Sequence, residues 1–193
     1  GGVLMSIANP DDVKEGVVDF LINEIGIEES KERITEIVNN CVPGWFSEED
    51  TGINIWSKYF PSEVAVKIVD RYKYFHANRY QPVESMIDLC RKLSQKYQVG
   101  ILSNFSKEFV LEKNYFNREM FNPVIFSGLV NVKKPNPEIY KIYCNAAKCL
   151  PENILFVDDK EENVAAARKF GMTAILFFDQ KQFEEELRKL NII

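Results

Sequence analysis

The sequence predicts an α/β protein, built as a doubly wound parallel sheet with an all-α helical segment inserted near its start. After Gln81-Pro82, helical patterns alternate with short apolar runs, which is the signature of crossover units in a parallel sheet. Before that point, from about Asp11 to Phe75, apolar residues recur at helical spacing and no convincing strand interrupts them. The length of 193 residues allows one core with an appendage but is short for two independent domains.

The N-terminal segment is predicted to be a block of helices. Val13, Val17 and Leu21 recur every four residues and predict a first helix. A second helix follows Ser30, which is a suitable N-cap, and its apolar stripe begins at Ile34. Two further helices are predicted, around residues 53–59 and 62–75.

The remaining residues are predicted to alternate between helices and strands. Gly171 suits the position after a helix C-terminus, where a left-handed conformation is common. The predicted helices are 83–97, 107–117, 137–148, 161–170 and 181–190, and the predicted strands are 99–102, 123–126, 154–157 and 173–178.

Composition and charge exclude several classes of protein. The chain has 24 basic and 29 acidic residues, a net charge of -5, and no basic cluster longer than a pair, so no nucleic acid partner is predicted. Four cysteines without CxxC spacing indicate reduced thiols. No apolar run reaches the roughly 20 residues of a membrane span, and the first residues do not resemble a signal peptide. We therefore expect a cytoplasmic protein without a membrane partner; its oligomeric state is not predicted.

Asp158 and Asp159 directly follow a predicted strand and are the most informative pair in the chain. One of them could cap the following helix and stabilise it by about 1 kcal/mol. Capping would explain the presence of only one of the two acids. Two carboxylates about 4 Å apart repel each other by about 4 kcal/mol at an effective dielectric constant near 20. A hard divalent cation such as Mg²⁺ would offset that repulsion. The pair therefore favours a magnesium site over capping alone.

Other polar residues are predicted to lie at the same sheet edge, because parallel strands all end there. Ser103 and Asn104 follow a predicted strand and offer a hydroxyl, an amide and backbone N–H groups to a phosphate, although both residues are also common in turns. Asn163 lies one helical turn beyond Asp159; it either orients a carboxylate or is a solvated helix residue. Lys134, in a proline-stiffened loop, is the better candidate to reach inward, whereas Lys133 is expected to be solvated.

The motifs VGILSN, KKPNPEIY and LFVDDKEENVAAARKFGM resemble motifs two, three and four of the haloacid dehalogenase superfamily, in that order, and the N-terminal GGVL resembles the residues after its nucleophile. The likeness runs from about Val83 to the end. It is nearest to the branch containing the phosphatase domain of soluble epoxide hydrolase and the bacterial sugar-1-phosphate phosphatases. The resemblance implies a remnant of the first strand and loop at residues 1–8, a helical cap at residues 9–80 and a Rossmann-like core at residues 81–193.

The resemblance also implies site roles. Ser103, Asn104 and Lys134 would bind the phosphoryl group, and Asp158 and Asp159 would hold Mg²⁺. Asn163 would lie behind these residues and support them. The implied enzyme is a Mg²⁺-dependent phosphatase of a small phosphorylated metabolite that forms an aspartyl-phosphate. Two alternatives remain: a non-catalytic protein that binds phosphate esters, and a haloacid dehalogenase that needs no metal.

The sequence departs from the family pattern at its start. The implied nucleophile lies two positions before Gly1, and Gly1 itself stands where many of these phosphatases have a second aspartate as general acid. The absent segment would also be the first strand, which is normally central in the sheet. Since its loss would expose core and strand edges, we expect the given sequence to be a truncated form.

Overall fold

The computed structural model of the chain describes residues 3–7, 10–45, 52–105 and 119–193. These residues form two compact units, one made of Ile7–Gln81 and the other of Pro82–Ile193 with the N-terminal residues up to Ser6. Two short strands, β1 (Met5–Ile7) and β2 (Tyr80–Pro82), pair with each other where the chain passes from one unit to the other. The predicted helix 107–117 lies outside the described residues.

Helices make up most of the described residues of the first unit. Its helices are α1 (Pro10–Phe20), α2 (Lys31–Trp45), α3 (Gly52–Trp56) and α4 (Ser62–Arg79), and a π-helical turn, Leu21–Ile25, extends α1. The predicted apolar stripes are buried: Leu21 and Ile34 are fully inaccessible. The predicted N-cap is also confirmed, because the Ser30 hydroxyl oxygen accepts a hydrogen bond from the Arg33 N–H at 3.2 Å.

The second unit alternates helices and strands. Its helices are α5 (Glu84–Leu93), α6 (Ser127–Val130), α7 (Pro137–Ala147), α8 (Glu161–Phe170) and α9 (Gln180–Lys189), with a 3₁₀ turn at Pro151–Asn153. Its strands are β3 (Ile101–Ser103), β4 (Val124–Phe126), β5 (Leu155–Asp158) and β6 (Thr173–Leu176). The predicted α/β class, with helices between parallel strands, is confirmed.

The strands of the second unit pair as two parallel ribbons. Strand β3 pairs with β4, with Ser103 opposite Phe126, and β5 pairs with β6, with Asp158 opposite Leu176. Among the described residues the two ribbons are not hydrogen-bonded to each other, so the predicted sheet is not continuous in backbone hydrogen bonds. Both ribbons nevertheless place polar residues at the C-terminal ends of their strands.

Helices cover both faces of the β5–β6 ribbon, as a doubly wound fold requires. Successive residues of a strand point to opposite faces. Ala174 packs in a cluster with residues of α7 and α8, whereas Ile175 packs with residues of α5 and α9. The predicted small-hydrophobe role of the cysteines fits this packing: Cys90 is buried, and burial raises the pKa of its thiol to about 11.

Within the described part of the chain, no helix combines the length and apolarity needed to cross a bilayer.

Candidate active site

A buried ion pair joins the two strand ribbons. The Lys134 ammonium donates to Asp158 Oδ2 at 2.6 Å and to the Leu102 carbonyl oxygen, in β3, at 2.8 Å. The two charged side chains are only 7% and 6% exposed. The ammonium also lies 5.4 Å from the centre of the Phe156 ring, a distance at which a cation and an aromatic ring attract. Lys134 therefore reaches inward and touches the ends of both β3 and β5.

The Asp158 carboxylate is fully engaged by protein donors. Its Oδ1 accepts from the Asn163 side-chain amide at 2.8 Å and from the Lys160 N–H at 2.9 Å, while Oδ2 accepts from Lys134. Burial acts most strongly on the pKa of Asp158 and raises it, but the Lys134 charge and these hydrogen bonds together outweigh burial. The net effect holds the pKa below its ordinary value, so Asp158 is ionised at neutral pH.

Asp159 has a different environment from its neighbour. Its side chain is exposed at the end of β5, and none of the described residues donates a hydrogen bond to it. Neither acid acts as the side-chain N-cap of α8, because the cap residue is Lys160 and it makes no side-chain cap bond. The structure therefore separates the adjacent acids into a buried partner of Lys134 and an open carboxylate.

Asn163 is buried and not solvated. The residue is 2% exposed, and its amide nitrogen holds Asp158. Its backbone carbonyl accepts from the Tyr140 hydroxyl at 2.8 Å, which ties α8 to α7. Its side-chain oxygen is buried without a hydrogen-bond partner. Of the two interpretations left open by the sequence, orienting a carboxylate is the one that this geometry fits.

The Asn104 side chain is paired with the backbone of Lys134. Its Oδ1 accepts from the Lys134 N–H at 2.8 Å, and its Nδ2 donates to the Lys134 carbonyl at 2.9 Å. This two-point pairing fixes the lysine loop and uses one of the two Nδ2 hydrogens of Asn104. The second Nδ2 hydrogen and the backbone N–H are the groups that could contact a phosphate, and the predicted phosphate-binding role of Asn104 stays a prediction.

Ser103 ends β3 with a half-buried side chain, and no described residue accepts or donates a hydrogen bond at its hydroxyl. On the other side of the lysine, Asn136 caps α7 by accepting from the Glu138 N–H at 2.9 Å. Pro137 then occupies the first turn, where a missing N–H costs no hydrogen bond. These features hold the loop that carries Lys134 between two anchored ends.

Two contacts of the site were not predicted from the sequence. Tyr140 supports Asn163, and Ser127, directly after β4, binds the backbone of Phe105. Ser127 follows a short apolar strand in the same way as Ser103 and Asp158, so the rule that located those residues also locates it. Tyr140 is the last residue of the KKPNPEIY motif, but no role was predicted for it, because an aromatic residue at helical spacing predicts only core packing.

The donor set of the site suits Mg²⁺ in kind. Magnesium prefers oxygen ligands and commonly uses one or two carboxylates together with waters and substrate phosphates. Asp159 supplies an exposed carboxylate. Beside it, the carboxylate oxygens of Asp158 already accept hydrogen bonds from the protein. Among the described residues, no three His, Cys, Asp or Glu side chains are grouped closely enough to hold a metal. The described side chains would therefore supply part of a magnesium site.

Strand-end polar residues around a buried lysine–carboxylate pair on an α/β core define the class of site. The chain belongs to the haloacid dehalogenase-like hydrolase family, which matches residues 23–177. The family predicted from the three motifs is thereby confirmed.

Two curated relatives match parts of the chain. The sesquiterpene phosphatase astK of Aspergillus oryzae is 30% identical over 113 residues, which are 57% of this chain and 58% of that protein. The bifunctional epoxide hydrolase 2 of Rattus norvegicus is 37% identical over 70 residues, 36% of this chain and 13% of that enzyme. The match to rat epoxide hydrolase agrees with the predicted branch. The chain thus corresponds to a minor part of that enzyme's length.

Solved structures share the fold over nearly the whole chain. A haloacid dehalogenase family enzyme from Bacteroides thetaiotaomicron has a TM-score of 0.70 at 18% identity and covers 97% of this chain and 95% of its own. A 2-haloacid dehalogenase from Pseudomonas syringae has a TM-score of 0.69 at 17% identity, with coverage of 98% and 96%. At these identities the likeness shows the fold alone, and it does not separate phosphatase from dehalogenase.

Proposed function

We propose that the protein is a cytoplasmic, Mg²⁺-dependent phosphatase that hydrolyses a small phosphorylated metabolite through an aspartyl-phosphate. One observation carries this proposal: the Lys134 ammonium contacts Leu102, the residue before Ser103, and Asp158, the residue before Asp159. A single buried cation thus links the candidate phosphate-binding end of β3 to the candidate metal-binding end of β5.

The local charges favour the binding of a metal cation, and the bound cation would then favour the binding of a phosphate anion. Lys134 and Asp158 neutralise each other, whereas the Asp159 carboxylate has no such partner among the ion pairs of the described residues. A divalent cation bound to Asp159 would offset its negative charge. Bound Mg²⁺ would also attract a phosphate group and offset charge that develops on the phosphoryl oxygens.

Each residue of the site would have a separate role in this reaction. The Ser103 hydroxyl and the Asn104 backbone N–H would hold phosphoryl oxygens, with Lys134 offsetting their charge, and Asp159 would hold the metal. Asp158 would hold the Lys134 ammonium in place, and Asn163 would orient Asp158. The proposed mechanism needs an aspartate nucleophile, and none of the given residues is assigned that role, so turnover must be assayed on the polypeptide as the cell makes it.

Two similar proteins support the proposal of a phosphatase. A curated relative is named a sesquiterpene phosphatase, and the enzyme from Bacteroides thetaiotaomicron has also been solved in complex with magnesium and inorganic phosphate. We further propose that residues 9–80 form a cap that contributes to substrate choice, as the family likeness implies.

The proposal is tested by hydrolysis of p-nitrophenyl phosphate with Mg²⁺, without metal and with a chelator. We expect turnover only with Mg²⁺. Asp159→Asn should lose at least 10-fold in kcat/KM and require more Mg²⁺, because a metal ligand is weakened. Glu185→Gln, which removes one exposed acid of the same unit, is the matched control and should behave as wild type.

Two experimental outcomes would refute the phosphatase proposal, and each would support one of the two alternative functions. Saturable binding of inorganic phosphate without any turnover would identify a non-catalytic binding protein. Chloride release from 2-chloropropionate without metal would identify a dehalogenase. Phosphatase activity that is indifferent to chelation would refute the magnesium assignment alone.

A further inference from the structure

Ser127 is buried in the second unit and is 3% exposed, yet its hydroxyl makes no bond that supports its own helix. It instead binds the backbone of a residue 22 positions earlier. The Ser127 Oγ accepts from the Phe105 N–H at 3.0 Å and lies 3.4 Å from the Phe105 carbonyl, to which it donates. The Gly128 N–H donates to that same carbonyl at 3.0 Å.

The register of the first ribbon explains why these groups meet. Phe126 pairs with Ser103, so the residue after β4 stands beside the residues that follow β3. A hydroxyl carries a donor and an acceptor on one atom, which is what the N–H and C=O of a single residue need. Asn104 is fixed from another direction by its pairing with Lys134. The two residues after Ser103 are therefore held by two separate segments.

We infer that Ser127 is a positioning residue: its hydroxyl fixes Phe105 in the turn after Ser103, so that the Ser103 hydroxyl and the Asn104 N–H are preorganised for phosphate. The inference rests on the proposed function, because it assigns Ser127 a part in phosphate binding. It adds a residue that touches neither substrate nor metal. The loss of such a support can misplace binding groups by about 1 Å, and displacements of that size can cost about 100-fold in rate.

The test compares Ser127→Ala with wild type in the polypeptide as the cell makes it. We expect kcat/KM for p-nitrophenyl phosphate to fall about 10-fold to 100-fold. The inhibition constant of inorganic phosphate should rise, because the phosphate-binding groups are no longer held, and amide hydrogen exchange at Phe105 should accelerate. Ser127→Thr, which keeps the hydroxyl, should restore the affinity for inorganic phosphate.

Leu187→Ala is the control for lost stability, since Leu187 is 1% exposed and packs in the cluster with Met86, away from this turn. All variants are assayed well below their unfolding temperatures. A phosphate inhibition constant that is unchanged in Ser127→Ala, or raised equally in Leu187→Ala, would overturn the inference and leave the phosphatase proposal standing. A wild-type protein that neither hydrolyses the ester nor binds inorganic phosphate would overturn both.

Discussion

The buried ion pair between Lys134 and Asp158 provides the sharpest test of the site's architecture, because it does not depend on activity. Replacing Lys134 with Met removes the ammonium and leaves the Asp158 carboxylate buried, with its Oδ2 no longer paired. Replacing Asp158 with Asn leaves the ammonium buried beside the Leu102 carbonyl without a carboxylate to offset its charge. Each change leaves one unpaired charge in a site where both side chains are less than one tenth exposed.

The expected loss follows from that burial. Breaking a buried pair by removing one partner costs about 3–5 kcal/mol, because the remaining charge stays desolvated without compensation. Removing both charges costs less than the sum of the two single changes. The double variant Lys134→Met/Asp158→Asn should therefore show a coupling energy of about 1–3 kcal/mol.

Urea unfolding at neutral pH, followed by circular dichroism, measures these free energies. The matched control is Lys141→Met, which removes a lysine from the exposed pair with Glu138 at 3.3 Å and should cost less than about 1 kcal/mol. The reasoning fails if Lys134→Met costs no more than this control, or if the two single changes are additive in the double variant.

Two further predictions concern acid stability and packing. Because the pKa of Asp158 is lowered in the folded state, its contribution is present above the unfolded value of about 3.9 and is lost as the pH falls through the lower folded value. Wild type should thus lose stability more steeply than Asp158→Asn as the pH falls below about 4 in urea unfolding; parallel curves would contradict this. Gly100→Ala should cost about 2–3 kcal/mol, because the added Cβ would lie 2.6 Å from the backbone oxygen of Pro123. A thermal unfolding temperature equal to wild type would show that the backbone there yields freely.

Much of the fold was predictable because hydrophobic periodicity reports burial directly. The helix Glu161–Phe170 matches its predicted bounds, and Gly171 adopts the expected left-handed conformation with φ of 104°. Short strands were placed less accurately: β3 begins at Ile101, two residues after the predicted start, since apolar runs do not mark where pairing begins. The π-helical turn at Leu21–Ile25 was missed, because its residues continue the same helical period.

The sequence predicted which residues form the candidate site, but it did not predict which of them contact one another. Lys134, Asp158 and Asn163 were named from their positions at strand and helix ends, and the structure joins them in one network. The sequence treated the adjacent acids as equivalent. Which of two neighbours points inward depends on strand register and on the path of a loop 24 residues away, and neither is encoded in local pattern. For the same reason, the engagement of the Asn104 amide by Lys134 was not foreseen.

The acidic half of the site is built almost entirely from near neighbours in the chain. Strand β5, helix α8 and strand β6 are consecutive, and Asp158 and Asn163 are five positions apart, whereas Lys134 reaches Asp158 across 24 positions. Closing a short loop costs less chain entropy than closing a long one, and local contacts form sooner during folding. The bond between Asn163 and Asp158 should therefore cost less chain entropy to close than the ion pair with Lys134, which ties this local half of the site to a more distant part of the chain.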